Sequence, residues 1–189
     1  MKNYSFPSDC CIKPTHLCGE VILRRENSAV DLEKINNWFK SSHYHVNRET
    51  NYKTLKPKVI VEPLIFGENN LNDYKFLCYN GKPKLIQVDI DRYQDHVRNY
   101  YEPEWNKMPF TLVSNSSRKV EIARPKNLDE MLLLASSLSS YFNLVRIDLY
   151  TNGEECLVGE ITNSHGNACE KFTPKSAELI ASNMIFNKA

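Results

Sequence analysis

Toward the C-terminal end of the chain the dipeptide Asn152-Gly153 stands between two runs that place apolar residues at alternate positions. The first run carries Val145, Ile147 and Leu149. The second carries Cys156, Val158 and Ile161, with the alternation slipping near Gly159. Asn-Gly between alternating runs is the strongest short-range hairpin signal, because both residues tolerate the positive φ values of a tight primed turn. The spacing therefore predicts an antiparallel hairpin from Arg146 to Thr162, with Asp148 and Glu160 on neighbouring strands and on one face. Two carboxylates side by side repel each other unless a cation stands between them. Mg²⁺ resolves that conflict, since it takes oxygen ligands, usually one or two carboxylates plus phosphates. Arg146, two residues before Asp148, falls on the same face and meets further negative charge. A solvated strand face with an incidental ion pair also accounts for the spacing, and both readings stand at this point.

The whole composition narrows the class. With 189 residues the chain suffices for one domain or two small ones with a proper core, and 41% apolar and 25% charged residues are ordinary for a globular protein. A net charge of +1 gives no global field for nucleic acid or an acidic membrane surface. No apolar run reaches the length of a membrane span, and nothing near Met1 pairs a basic flank with an apolar core, so the expectation is a soluble, cytoplasmic protein. Cys10, Cys11, Cys18, Cys78, Cys156 and Cys169 lack C-x-x-C metal spacing and read as thiols, several of them buried on strands. His43-Tyr-His45 has no third ligand at a metal spacing and reads as structural or solvated.

Earlier in the chain, Cys10 to Pro14 and Glu20 to Leu23 read as paired strands, with Lys13 at the end of the first beside the loop Thr15 to Gly19. Such a lysine is either a phosphate grip or an exposed hairpin residue. Asp31 caps a helix whose stripe is Leu32, Ile35, Trp38 and Phe39, and a polar loop follows from Ser41 to Lys56. Lys58 to Phe66 is a strand broken at Glu62-Pro63, which is either an edge or a hinge with free backbone groups. Asp73 to Tyr79, Asn80-Gly81 and Lys84 to Ile90 form a second hairpin. Asp73, Lys75 and Leu77 share one face of its first strand, and Tyr74, Phe76 and Cys78 share the other. His96 to Phe110 reads as a long irregular crossing that packs aromatics. Asn127 to Glu130 is a capping box for a helix through about Ser140, and a last helix runs from Ala177 to about Ile185. There is no repeat, low-complexity tract or clear linker.

Taken in order, Asp73-Tyr-Lys-Phe, Tyr79-Asn-Gly-Lys-Pro-Lys, Asp91-Arg92, Trp105-Asn, Pro125 to Met131, Val145 to Tyr150 and Gly159-Glu-Ile-Thr162 resemble the TupA-like ATP-grasp family of teichuronopeptide and polysaccharide biosynthesis. The likeness runs from about Cys11 to about Pro174. It implies an α+β, ATP-grasp-like fold: a small flap subdomain over residues 1–62 with a nucleotide hinge at its end, and a C-terminal catalytic subdomain over 63–189, built on a larger antiparallel sheet with helices on one side. It further implies an ATP- and Mg²⁺-dependent ligase that activates a carboxylate as an acylphosphate for attack by an amine, with a small-molecule carboxylate, an amine acceptor and a uronic acid polymer as partners. By the same resemblance Lys13 is the flap lysine on the phosphates, and Glu62, Pro63, Leu64 and Ile65 are the hinge at the adenine. Asp73 stands near the ribose with Lys75 beside it, Asp148 and Glu160 are the metal ligands, and Arg146 is the catalytic arginine at the reacting carboxyl.

The chain departs from the family pattern in three places. Leu17 and Cys18 precede a lone Gly19 where the flap loop is usually glycine-rich. Thr162 stands where many ATP-grasp enzymes have Asn. Full-length members have a region before the flap lysine, whereas this chain starts twelve residues before Lys13. It reads either as a fragment or minimal form that keeps the nucleotide cleft but lacks part of the acceptor site, with a second copy or a partner chain as one source of that region, or as a degenerate relative. Two other functions stay open: a non-catalytic relative that binds a nucleotide or a partner, and a polysaccharide-associated protein that binds a nucleotide sugar through the same carboxylates.

Overall fold

The computed structural model describes residues 4–67, 71–91, 96–112, 120–163, 166 and 170–186. The chain forms two compact units, Met1–Glu68 and Asn69–Ala189. The first unit thus extends past residue 62 and includes the whole Glu62 to Ile65 segment.

In the first unit, β1 (Cys10–Pro14) is flanked antiparallel by β2 (Ile22–Arg24) and by β3 (Val59–Glu62). Cys10 and Ile12 alternate onto one face and close a small core with Ile35 and Trp38 of α1 (Leu32–Trp38). Asp31 caps this helix as expected, its carboxylate accepting from the Lys34 N–H at 2.8 Å. Leu32 and Phe39, expected in the buried stripe, are 44% and 42% exposed, because a three-stranded sheet covers only the middle of a seven-residue helix. The polar stretch expected as a loop holds a short helix, α2 (His43–Asn47), opened by the Ser42 side chain and closed by Arg48 in the left-handed region. β3 stops at Glu62, where Pro63 removes the next ladder donor.

The second unit is built on a five-stranded antiparallel sheet. Its strands are β4 (Asp73–Tyr79), β5 (Lys82–Ile90), β6 (Val97–Tyr101), β8 (Leu144–Thr151) and β9 (Cys156–Thr162), in the order β6-β5-β4-β8-β9. A two-residue strand β7 (Thr111–Leu112) pairs with β10 (Phe172–Thr173). The β4–β5 turn has positive φ at Asn80 and Gly81, as the sequence predicts. The turn is tied to α3 (Leu128–Ser139) by the Ser136 hydroxyl, which donates to the Gly81 carbonyl at 2.6 Å. β5 starts at Lys82, two residues earlier than expected. Its Pro83 is accommodated opposite Cys78 at a register slip that leaves Lys84 as the extra residue. Val97 to Tyr101, expected to be irregular, pairs with β5, and the irregular chain begins only after it, with Trp105 stacked on Tyr101 at 4.2 Å between ring centroids.

Tyr74, Phe76, Ile86, Val88, Ile147 and Leu149 face Leu128, Met131 and Ala135 of α3. Leu77, Leu85 and Tyr100 point the opposite way and pack against Phe110 and against Ala177, Ala181 and Ile185 of α4 (Ala177–Phe186). The helices therefore do not share one side of the sheet, as the resemblance implied: each face has its own apolar patch and each patch is covered by one helix. The capping box also takes another form. Asn127 makes no cap hydrogen bond to α3, because its amide oxygen accepts from Thr151 Oγ1 at 3.0 Å. Among the described residues no helix is long and apolar enough to cross a membrane.

Candidate active site

The face of the sheet that carries Leu77 and Leu85 continues, strand by strand, as a row of polar side chains. Antiparallel register places Lys75 opposite both Gln87 and Asp148, Asp148 opposite Glu160, and Arg146 opposite Thr162. It likewise sets Asp73 opposite Asp89 and Asp89 opposite Arg98. Directly opposed residues of an antiparallel pair share a face, so five strands deliver one continuous charged surface. Four charged side chains of this row are buried: Asp73, Lys75, Asp89 and Asp148 are each at most 5% exposed.

Buried charges must be matched, and here they are. Lys75 Nζ lies 3.2 Å from Asp73 Oδ2 and 3.0 Å from Asp148 Oδ2. Arg146 grips Asp148 with both limbs of its guanidinium, Nε to Oδ1 at 2.6 Å and Nη2 to Oδ2 at 2.8 Å. The same Nη2 donates to Thr162 Oγ1 at 3.2 Å, and the Thr162 hydroxyl donates to Glu160 Oε1 at 2.6 Å. Glu160 itself is exposed. Burial works against the charge of Arg146, but the bond and charge of Asp148, joined by Glu160, raise its pKa above the ordinary value.

A second knot lies at the β5–β6 end of the row. Asp89 Oδ1 accepts from Arg98 Nε at 2.7 Å, both Asp89 oxygens accept from Gln87 Nε2, and His96 Nε2 is 3.1 Å away. Arg98 also reaches Glu170 at 3.3 Å, and Tyr100 donates to Gln87 Oε1 at 2.8 Å. Burial works against the Asp89 charge, yet Arg98, Lys75 and His96 together hold its carboxyl below the usual range.

Asp73, Lys75, Arg146, Asp148 and Glu160, read from the sequence as site residues, are thus on one face of the second unit. Lys13, Glu62, Pro63, Leu64 and Ile65 belong to the first unit. There Lys13 Nζ pairs with Glu62 Oε2 at 2.6 Å, both side chains being more than 40% exposed. Pro63 and Leu64 follow directly on β3, and Ile65 opens a turn in which Phe66 takes φ 52°. Asp89, Gln87 and Arg98 were not read from the sequence. The signal available was the pair Gln87 and Asp89, two apart and each flanked by apolar residues of β5. Asp91 lies beyond the end of β5 with φ 48°, and its motif partner Arg92 falls outside the described residues.

For a divalent ion, the Asp148 and Glu160 carboxylates and the Thr162 hydroxyl are hard oxygen donors in register. Among the described residues no three His, Cys, Asp or Glu side chains converge on a ready-made metal position. A two-carboxylate set suits Mg²⁺, which keeps waters and completes its shell with phosphate oxygens, and it suits Zn²⁺ poorly.

The sequence profile of the TupA-like ATP-grasp family matches residues 1–186, and the chain belongs to that family. Among solved structures, a D-alanine–D-alanine ligase from Helicobacter pylori is similar at 18% identity and a TM-score of 0.40, with 88% of this chain and 45% of that chain covered. The chain thus spans less than half the length of that ligase. No curated protein matches this sequence.

Proposed function

We propose that this protein is an ATP- and Mg²⁺-dependent carboxylate–amine ligase of the ATP-grasp type, acting in the cytoplasm in surface-polysaccharide assembly. Its substrates would be a small-molecule carboxylate, such as a uronic acid unit, and an amine, joined through an acylphosphate. The observation that carries the reading is Asp148, fixed by a bidentate arginine and a buried lysine, in register with Glu160 and beside Thr162, in a chain of this family.

Asp148, Glu160 and the Thr162 hydroxyl would hold Mg²⁺, which supplies charge neutralisation at the transferring phosphoryl group. The chain's own residues do the remaining work. Arg146 is held in place by Asp148 and Thr162, and in this reading it would stabilise negative charge developing on the reacting carboxyl. Asp73 serves the ribose and Lys75 lies next to it. In the first unit Lys13 serves the phosphates and the backbone of Glu62, Pro63, Leu64 and Ile65 serves the adenine. The Lys13–Glu62 pair is half exposed, and such a pair contributes only about 0–1 kcal/mol, so the lysine is readily exchanged onto a phosphate.

The test is ATP turnover in the presence of uronic acids and amino compounds, wild type beside Glu160→Gln. Loss of one carboxylate from a two-carboxylate set is expected to lower turnover on the order of a hundredfold or more with the circular dichroism spectrum unchanged. Equal turnover by the two proteins would overturn the mechanism.

A further inference from the structure

Lys75 holds a position that a metal ion would contest. Its ammonium lies 3.0 Å from Asp148 Oδ2 and 3.2 Å from Asp73 Oδ2, and the side chain is 5% exposed. Arg146 engages both Asp148 oxygens from the other side. The carboxylate proposed as a metal ligand is therefore already satisfied by two cations of the protein itself. Glu160, its register partner, is directed instead to the Thr162 hydroxyl. A hydrated divalent ion arriving alone would have to take Asp148 from this ammonium, leaving it to Asp73, and would stand beside two buried cations with no added anion to balance the charge. A polyphosphate brings that anion, and with it the oxygens that complete the metal's shell.

We infer that Lys75 is an internal counter-cation that closes the Asp148 site to free divalent metal, so that metal enters only together with nucleotide. This positioning role rests on reading the site as an ATP–Mg²⁺ site, and it adds an order of binding to that reading. Lys75 acts through Asp148: it sets when the carboxylate becomes available.

The experiment is a Mn²⁺ titration of the full chain, followed by the electron paramagnetic resonance signal of unbound Mn²⁺. It is run with metal alone and with a non-hydrolysable ATP analogue, on wild type, Lys75→Gln and Lys75→Arg, and the Mn²⁺ held by the analogue itself is subtracted from a protein-free titration. Wild type is expected to take up Mn²⁺ at least tenfold more tightly with the analogue than without it. Lys75→Gln is expected to gain at least tenfold in affinity for Mn²⁺ alone, and Lys75→Arg, which keeps the charge, to remain closed. Wild type binding Mn²⁺ alone as tightly as with the analogue would overturn the inference and leave the ATP–Mg²⁺ reading standing. So would a folded Lys75→Gln protein with no gain. No Mn²⁺ uptake by any protein under either condition would overturn the ATP–Mg²⁺ reading itself, and the inference with it. The wild-type comparison needs no variant, so it decides the question even where Lys75→Gln does not fold.

Discussion

Asp89 illustrates what a single residue contributes to this site without touching its proposed chemistry. It is 2% exposed, and it is kept charged by Arg98, Gln87 and His96 while standing opposite Asp73 in the next strand. Burial raises its pKa, but Arg98 and then Lys75 and His96 lower it by more, so the folded value lies below the usual 3.8. The folded state therefore holds this proton less tightly than the unfolded chain does. The resulting stability is fully present above 3.8 and is lost as the pH falls through the lower folded value. Urea unfolding across the acid range should show the midpoint falling there in wild type, and Asp89→Asn should lack this contribution. At neutral pH Asp89→Asn should be less stable on the order of 3 kcal/mol, because it weakens the counter-charge of a buried guanidinium. Asp89 was hard to find in the sequence, since an acid two residues after a glutamine in a strand gives no hint of which cation stands beside it.

At the level of the element, the β8–β9 hairpin owes its chemistry to one extra residue. Asp148 pairs with Glu160 and Leu149 with Val158, so Gly159 is a bulge residue with no partner of its own. In a regular strand Val158 and Glu160, two apart, would face the same way. The bulge lets Val158 stay on the side of Leu149 while Glu160 joins Asp148. The slip in alternation near Gly159 was visible in the sequence. Why the residue is glycine was not visible: a Cβ there would stand 2.5 Å from Tyr150 Cε2 and 3.1 Å from its Cδ2. Gly159→Ala should therefore cost about 1–3 kcal/mol in urea unfolding through overpacking. It should cost distinctly less in a Tyr150→Ala background, and equal costs in the two backgrounds would refute the clash.

Over the whole molecule, two units with separate cores give separate stabilities. Among the described residues the first fully buries Cys10, Ile12, Ile35 and Trp38 in its core, whereas the second buries apolar clusters on both faces of a five-stranded sheet. Each unit carries one of the two tryptophans, Trp38 in the first and Trp105 in the second. In Trp105→Phe protein, Trp38 fluorescence should report unfolding at a lower urea concentration than Trp105 does in Trp38→Phe protein, and coincident midpoints would show a single cooperative unit. By itself the sequence determined the two Asn-Gly hairpins, the Asp31-capped helix, the strand break at Pro63 and the shared face of Asp148 and Glu160. The first three follow from local backbone preference, and the last from a period of two interrupted by the extra residue at Gly159. Only the tertiary structure decided that β6 joins the sheet, that the helices cover opposite faces and that the charges of β4 are buried. It alone decided that Lys75 and Arg146 converge on Asp148. Those outcomes depend on which strands become neighbours, and register between strands separated by as many as 73 residues is settled by packing that no local pattern encodes.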